Sequence, residues 1–446
     1  MSIEKLIKEY TEKRETSKRL FKRAKRVIPG GISHNIRYFP PYPFYVKKAK
    51  GAKIWDVDGN EYVDLWMGHY AHILGHSPEI IVNKIKNEIE GRIHWGLVNE
   101  YEVELAEILC EILPSAEKVR FCCSGTEATM YAVRLARAFT GKNLILKAEG
   151  GWHGGGTDLC VGIHKPYEES ESSGLVPEIK KYTRTIPFNE TEKAVRIIRE
   201  NTRELAGIIV EPVAGAAFIP AELEFLKVLR EETKKWGALL IFDEVITGFR
   251  IALGGAQKKF GITPDLSTLG KILGGGIGIG AVAGRKDIMD LCDPTKKGEK
   301  WVLTGGGTFS CNPLSMFTAL TIIKYLKENE EKIYPQLDKK GKRVRESLEN
   351  IFKESKIPVK CTGCGSLFKI NFPFQRGVSL KNPHDVDYLT DTDKRDKEFR
   401  LRMIIKGVHI YRGGGALSTA HTSEDIKKII SCSKEAIGEM ERSNIM

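Results

Sequence analysis

Three stretches of this chain hold side chains whose types could do chemistry together. In FCCSGTEATM, a Ser124-Gly125-Thr126 turn stands between an apolar run and a helical pattern. Such a turn offers an anion free backbone N–H groups, two hydroxyls and the positive end of a helix; alone it is also an ordinary helix cap. In IFDEVITGFR, Asp243 follows Leu239, Leu240, Ile241 and Phe242. Its carboxylate therefore sits where a buried strand runs out, and it needs a partner. A metal ion or a protonated heterocyclic nitrogen would serve, and no further carboxylate and histidine set stands at ligand spacing. In PDLSTLGKILGGGIGIGAVAG, Lys271 precedes a glycine run. A desolvated lysine loses its proton readily and condenses with carbonyl groups, and neighbouring glycines let the chain pass close to a bulky ligand.

The glycine run also contains a GxGxxA match at Gly278, Gly280 and Ala283. A dinucleotide loop of that form follows a strand, opens a helix and precedes an acid by ~20 residues. Here the segment at that distance is WVLTGG, without an acid, and no helical pattern opens at once; the dinucleotide reading is set aside. An anion site, a carboxylate for a ring nitrogen and an aldehyde-capturing lysine instead describe a pyridoxal phosphate (PLP) site, since that cofactor is held through a lysine Schiff base and an acidic partner.

These residues need elements that bring them together. LAGIIVEPV (205–213) and GALLIFDEV (237–245) read as buried strands ending in acids, and AELEFLKVLREETKKWG between them carries apolar residues at helical spacing up to Gly237. KVRFCCSG running into TEATMYAVRLARAFTG repeats the order of strand and helix. The alternation predicts an α/β fold with a mostly parallel sheet, whose strand ends would gather Ser124, Glu211 and Asp243. Residues 47–66 read as a hairpin turning at Asp58-Gly59-Asn60. From about residue 330 a long charged helix and short strands suggest a smaller α+β domain. The expected division is an N-terminal segment over 1–66, a large domain over 67–329 and a C-terminal domain over 330–446, the two end segments forming one smaller body.

Composition narrows the class. The chain has 446 residues, 41% of them hydrophobic and 29% charged, enough for two bodies in an ordinary globular protein. No apolar run approaches the ~20 residues of a membrane span, and no membrane partner is expected. MSIEKLIKEYTEKRETSKRLFKRAKR has no secretory pattern, and its spacing predicts an amphipathic helix; the protein is expected to be cytoplasmic. The nine cysteines, odd in number and scattered, are no disulfide framework. Cys361 and Cys364 form a CxxC: a redox pair, half a zinc site, or a turn holding two thiols. The net charge of +12 comes with Lys and Glu interleaved along helical stretches, the pattern of solvated helix faces. Without a zinc finger or an aromatic-interleaved basic block, no nucleic-acid partner is expected.

The chain resembles class III (subgroup II) PLP-dependent aminotransferases, most of all the glutamate-1-semialdehyde aminomutases and β-amino-acid transaminases. The resemblance runs from VIPGGISHNIRYF through WDVDGNEYVD, VRFCCSGTEATM, GGWHGG, IIVEPVAG, LLIFDEVITGFR, PDLSTLGKILGGGIGIGAVAG and GGGTFSCNPLS to LSTAHT. It implies a fold type I enzyme with a seven-stranded large-domain sheet. It implies further that Lys271 forms the Schiff base and moves the substrate proton, and that Asp243 keeps the ring nitrogen protonated. Ser124, Gly125 and Thr126 would hold the phosphate. Trp152 would stack on the ring, Val245 would pack its other face, and His153 and Glu211 would lie beside it. Thr308 would reach the phosphate of the neighbouring subunit in a homodimer. Arg37 would bind the substrate carboxylate. The glycine run would carry the chain away from Lys271 on a tight path beside the cofactor.

The resemblance is incomplete around the substrate. Gly413 in YRGGGAL stands where the aminomutases have a glutamate, HYAH (69–72) replaces their Trp-Gly-Pro stretch, and Thr304-Gly305 replaces a Tyr-Gln. Ala216 stands where ω-aminotransferases such as ornithine aminotransferase have a glutamate. Arg412 is an added cation, either a ligand for a second carboxylate or a plain loop residue. The expected activity is amino transfer between a carboxylate-bearing amino acid, β-amino acids among the candidates, and a keto acid. The alternatives are a glutamate-1-semialdehyde aminomutase of tetrapyrrole synthesis or a PLP-dependent racemase.

Overall fold

The alternating apolar runs become one central sheet. A computed structural model describes residues 2–443 of the chain. Its central strands, in chain order, are β1 (Lys118–Cys122), β2 (Leu144–Ala148), β3 (Thr183–Ile186), β4 (Leu205–Val210), β5 (Leu239–Asp243), β6 (Leu266–Leu269) and β7 (Gly280–Gly284). Across the sheet they lie in the order β1-β7-β6-β5-β4-β2-β3. β7 is antiparallel to both neighbours, and the other pairings are parallel. This is the mostly parallel seven-stranded α/β sheet expected from the sequence. The GxGxxA match leads into strand β7 and opens no helix, which removes the dinucleotide loop.

The strands read as continuous apolar runs because both faces are covered. Leu146, Ile208, Val210, Leu240 and Phe242 pack on one side with Phe225, Leu226 and Leu229 of the helix Leu223–Trp236. Ile145, Ile209, Ile241 and Val282 pack on the other with Ala128, Ala132 and Ala136. Those alanines recur at the helical interval along Gly125–Thr140 and let that helix lie close to the sheet.

The two ends of the chain share a second sheet. Val46–Lys50, Lys53–Asp56 and Glu61–Asp64 form an antiparallel meander, which Val408–His409 joins in parallel with Val408 opposite Val63. The sequence predicts one hairpin over 47–66; the structure makes two, because Gly51, with φ 58°, turns the chain once before the Asp58-Gly59-Asn60 turn. Lys360–Thr362, Leu367–Asn371 and Gly414–Ala416 form a further sheet. Helices Glu330–Glu354 and Ser423–Ser443 cover this region through Val344, Leu348, Ile429 and Met440.

The expected N-terminal helix is divided. Ile3–Glu12 and Glu15–Ala24 are separate helices, broken where Arg14 leaves helical geometry (φ −142°, ψ 45°). The break lets the buried Arg14 guanidinium donate to the Tyr62 hydroxyl at 2.8 Å and the Tyr10 carbonyl at 3.2 Å. A buried cation left unpaired costs more than an interrupted helix gains, so tertiary pairing wins. Among the described residues, no helix is long and apolar enough to cross a membrane.

Candidate active site

Topology alone assembles the site at the carboxyl ends of the strands. Parallel register sets Phe242 of β5 opposite Val210 of β4, so Glu211 and Asp243 emerge side by side. It sets Asp243 opposite Thr268 of β6, and Lys271 follows just beyond that strand. Trp152 and His153 follow β2, and Ser124, Gly125 and Thr126 follow β1. The residues at these strand ends, from Ser124 to Lys271, line one cavity of about 510 Å³ with Val245, while Thr268 stays behind Asp243; the volume is within the range of small-molecule sites.

Each side chain is braced. Asp243 accepts from Thr268 Oγ1 at 3.1 Å and from the Val245 N–H at 3.0 Å through Oδ1, while its Oδ2 lies 2.7 Å from His153 Nδ1. Facing a carboxylate, neutral His153 carries its proton on Nδ1, which leaves the buried Nε2 without a partner. Burial lowers the His153 pKa, against the pull of Asp243. Glu211 accepts from the Trp152 N–H at 3.2 Å. Burial first, and the charge of Asp243 second, raise the Glu211 pKa to about 8, so it holds its proton at neutral pH. Lys271 takes a left-handed backbone (φ 47°), a conformation a non-glycine residue keeps only where its surroundings impose it. Protein desolvates its amine and lowers its pKa, although the Asp243 charge pulls the other way.

The anion end is a true helix start. Ser124 caps Gly125–Thr140, its Oγ accepting from the Glu127 N–H at 3.2 Å. The Gly125 and Thr126 N–H groups belong to the first turn, which leaves them without intrahelical acceptors, and both residues line the cavity. Of the glycines, Gly276 and Gly278 line the cavity as expected. Gly280 has a different reason: a Cβ there would fall inside the van der Waals shell of the Ser124 carbonyl, so β7 and the helix start pack backbone to backbone.

The rim brings together Arg37, named through the resemblance, and histidines of which His69 and His72 stood out only as a departure. Arg37, in the single turn Asn35–Arg37, is exposed and lines the cavity, and its guanidinium has no hydrogen-bond or ion-pair partner among the described residues. His34, His69 and His72 line the cavity with it. Met67, Gly68, His69 and Tyr70 take φ of 44°, 59°, 61° and 66°, a complete left-handed turn. Arg412 lies outside the lining, and Thr308, expected at the phosphate of the neighbouring subunit, does not belong to this one. The Arg412 guanidinium is 3.8 Å from Asp396 and packs on the Tyr411 ring, and Thr308 is exposed on a loop. Cys361 and Cys364 are free thiols, and among the described residues no three His, Cys, Asp or Glu side chains are grouped to hold a metal.

Two supporting residues escaped the sequence reading. Thr268 follows only from strand register. Lys147, a cation inside the apolar run LILKA, was visible as an anomaly. It donates to the carbonyls of Gly151 (2.7 Å), Leu159 (3.2 Å) and Val161 (2.8 Å), which tie down the loop carrying Trp152 and His153.

A phosphorylated pyridine aldehyde fits this arrangement: a helix start for its phosphate, a braced carboxylate for its ring nitrogen, and a desolvated amine for its aldehyde. Comparison with known proteins agrees. The class III aminotransferase model matches residues 37–420. A glutamate-1-semialdehyde 2,1-aminomutase of Fusobacterium nucleatum subsp. nucleatum is 40% identical, covering 94% of this chain and 97% of the relative. A transaminase solved with PLP bound superposes with a TM-score of 0.88 at 30% identity, over 97% of this chain and 99% of that one. A β-phenylalanine aminotransferase from Variovorax paradoxus gives 0.88 at 30% identity, over 98% and 97%. The chain belongs to the class III aminotransferase family, and its cofactor is pyridoxal 5'-phosphate.

Proposed function

We propose that this enzyme exchanges amino and carbonyl groups within glutamate 1-semialdehyde. The relatives favour that intramolecular reading over the transfer between two substrates first expected from the sequence, because the 40% identical aminomutase matches almost end to end. The single geometric observation that carries the substrate class is the unpartnered Arg37 guanidinium at the mouth of the cavity that holds Lys271; a guanidinium grips a carboxylate through two parallel hydrogen bonds.

PLP, when bound, supplies an aldehyde that captures amines and a ring that accepts an electron pair from the adjoining carbon. The N–H groups of Gly125 and Thr126, with the hydroxyls of Ser124 and Thr126, hold its phosphate. Asp243, fixed by Thr268, the Val245 N–H and His153, keeps a proton on its ring nitrogen. Trp152 and Val245 confine the two ring faces, and Glu211, protonated at neutral pH, lies beside Asp243 without adding charge. Lys271 Nζ, its basicity reduced by burial, takes the proton from the substrate carbon and returns it. Arg37 orients the substrate by its carboxylate. A homodimer is supported by the exposed apolar residues Ile93, Leu97 and Val98, on the segment whose His94 ring lies 5.2 Å from the exposed Phe309 next to Thr308 in sequence, since exposed apolar surface of this kind marks interaction sites.

A second reading, transamination of a β-amino acid, is favoured by Gly413 in the place of the aminomutase glutamate and by the likeness to the Variovorax paradoxus enzyme. A half-reaction spectrum separates the two. The holoenzyme is mixed, without acceptor, with glutamate 1-semialdehyde and with α- and β-amino acids, and the visible cofactor band is followed. A response confined to the semialdehyde supports the aminomutase. Loss of the band with simple amino acids overturns it in favour of transamination.

A further inference from the structure

The left-handed turn at residues 67–70 demands a cause. A left-handed conformation costs a non-glycine residue roughly 1–2 kcal/mol, and here Met67, His69 and Tyr70 all adopt it around Gly68. Nothing local favours the turn, so the surroundings must impose it.

Two buried charges do so. Asp64 accepts the N–H groups of Trp66 (3.0 Å) and Met67 (2.9 Å) at the start of the turn. It is fixed in turn by His76 and His409, each 2.7 Å away, and those two partners hold its carboxyl well below the usual carboxylate range despite its burial. At the far end, the buried Arg250 guanidinium donates to the Tyr70 carbonyl at 2.6 Å and to Ser366 Oγ at 3.1 Å. Gly68 admits no Cβ, because the His72 imidazole fills that space. The turn is thus clamped at both ends and packed at its middle.

What the turn delivers is His69. Its ring lines the cavity beside Arg37, with Trp66 4.4 Å and His34 5.2 Å away by ring centroid. Neither ring nitrogen has a hydrogen-bond partner among the described residues, and Nε2 is buried. Burial, then the charges of His34, Arg37 and Lys271, lower its pKa to about 4, so the ring is neutral at pH 7 and offers one N–H to donate and one nitrogen to accept. Unpaired polar groups on a strained, doubly clamped segment of a binding cavity are satisfied by what binds there.

We propose that His69 is a substrate-contact residue whose ring N–H grips, together with Arg37, the carboxylate of the substrate. The inference rests on the carboxylate-bearing substrate proposed above and assigns the second half of its recognition. Asp64 and Arg250 are positioning residues that act through His69.

The test uses the holoenzyme and two variants. His69→Gly removes the ring while accepting the left-handed backbone freely, and His69→Phe keeps the ring and removes its nitrogens. Each is titrated with glutamate 1-semialdehyde and with β-amino acids, following the cofactor band. Both variants are expected to keep the wild-type band before substrate is added. Both are expected to need at least about tenfold more substrate for half-saturation, the scale of a hydrogen bond to a charged group, with the rate at saturation changed less than about threefold. Wild-type half-saturation in His69→Phe would assign the role to ring packing and overturn the proposal, as would unchanged half-saturation in His69→Gly. If the wild-type enzyme itself gives no response to any carboxylate substrate, it is the proposed function that fails.

Discussion

Lys147 offers a measure of what holds the cofactor loop. Its ammonium is buried, and burial lowers its pKa from 10.5 to about 8, a cost to the charged form of about 3 kcal/mol. Against this stand three carbonyls, those of Gly151, Leu159 and Val161, that its Nζ satisfies. Lys147→Met would recover the desolvation cost but strand all three, and a buried acceptor left unmade costs roughly 1–3 kcal/mol, so roughly 3–9 kcal/mol in sum. The loss outweighs the gain, and it falls on one place: all three carbonyls belong to the segment after β2 that carries Trp152 and His153. We therefore expect the variant to fold but to bind pyridoxal phosphate at least about tenfold more weakly, each tenfold being 1.4 kcal/mol. Absorbance titration of the apoenzyme with the cofactor gives the affinity, and amide hydrogen exchange over 149–163 reports the loop. A variant with wild-type affinity and wild-type protection would refute the accounting.

Three further outcomes follow from the site. Lys271→Ala is expected to lose the Schiff-base absorbance and nearly all turnover; normal activity in a steady-state assay would end the assignment of the proton-carrying amine. Arg37→Ala is expected to raise KM for carboxylate substrates roughly 10- to 150-fold, the equivalent of about 1.5–3 kcal/mol for a hydrogen bond to a charged group, with kcat less affected; an unchanged KM would refute carboxylate binding by Arg37. The pKa of Glu211 is raised from 4.5 to about 8 on folding, by burial and then by Asp243. The folded state therefore binds the extra proton, and the stability from this group is full below 4.5 and lost as pH rises through 8. Glu211→Gln is expected to flatten that decline, which denaturant titrations at pH 5 and pH 8.5 compare; an identical pH dependence in both proteins would contradict a protonated Glu211.

The catalytic end of the site was legible because its signal is local. An apolar run that ends in an acid, as in LLIFDEV, marks both a buried strand and the polar group at its tip, and the shared direction of parallel strands does the rest. Of the rim, the resemblance pointed to Arg37 but not to the histidines beside it. His69 faces the cavity because Asp64 and Arg250 hold a left-handed turn that no residue preference within HYAH announces. Arg14 breaks the N-terminal helix for a partner, Tyr62, that lies far along the chain. The glycine run was recognised, yet at Gly280 its reason is the Ser124 carbonyl rather than the cofactor. In each case the deciding contact is tertiary, and a one-dimensional pattern carries no trace of it.

The reversed strand β7 has a mechanical consequence for Lys271. A parallel successor to β6 would require a crossover of a dozen or more residues back to the amino ends of the strands, and the lysine would stand at the head of a long excursion. Because β7 runs back, the chain re-enters the sheet at Gly280, pinned there against Cys122 of β1. The lysine is moored fore and aft. Its amine travels only on the short tether of its own methylene chain, sweeping an arc about a fixed pivot. The backbone on either side of Lys271 is thus set by the sheet itself.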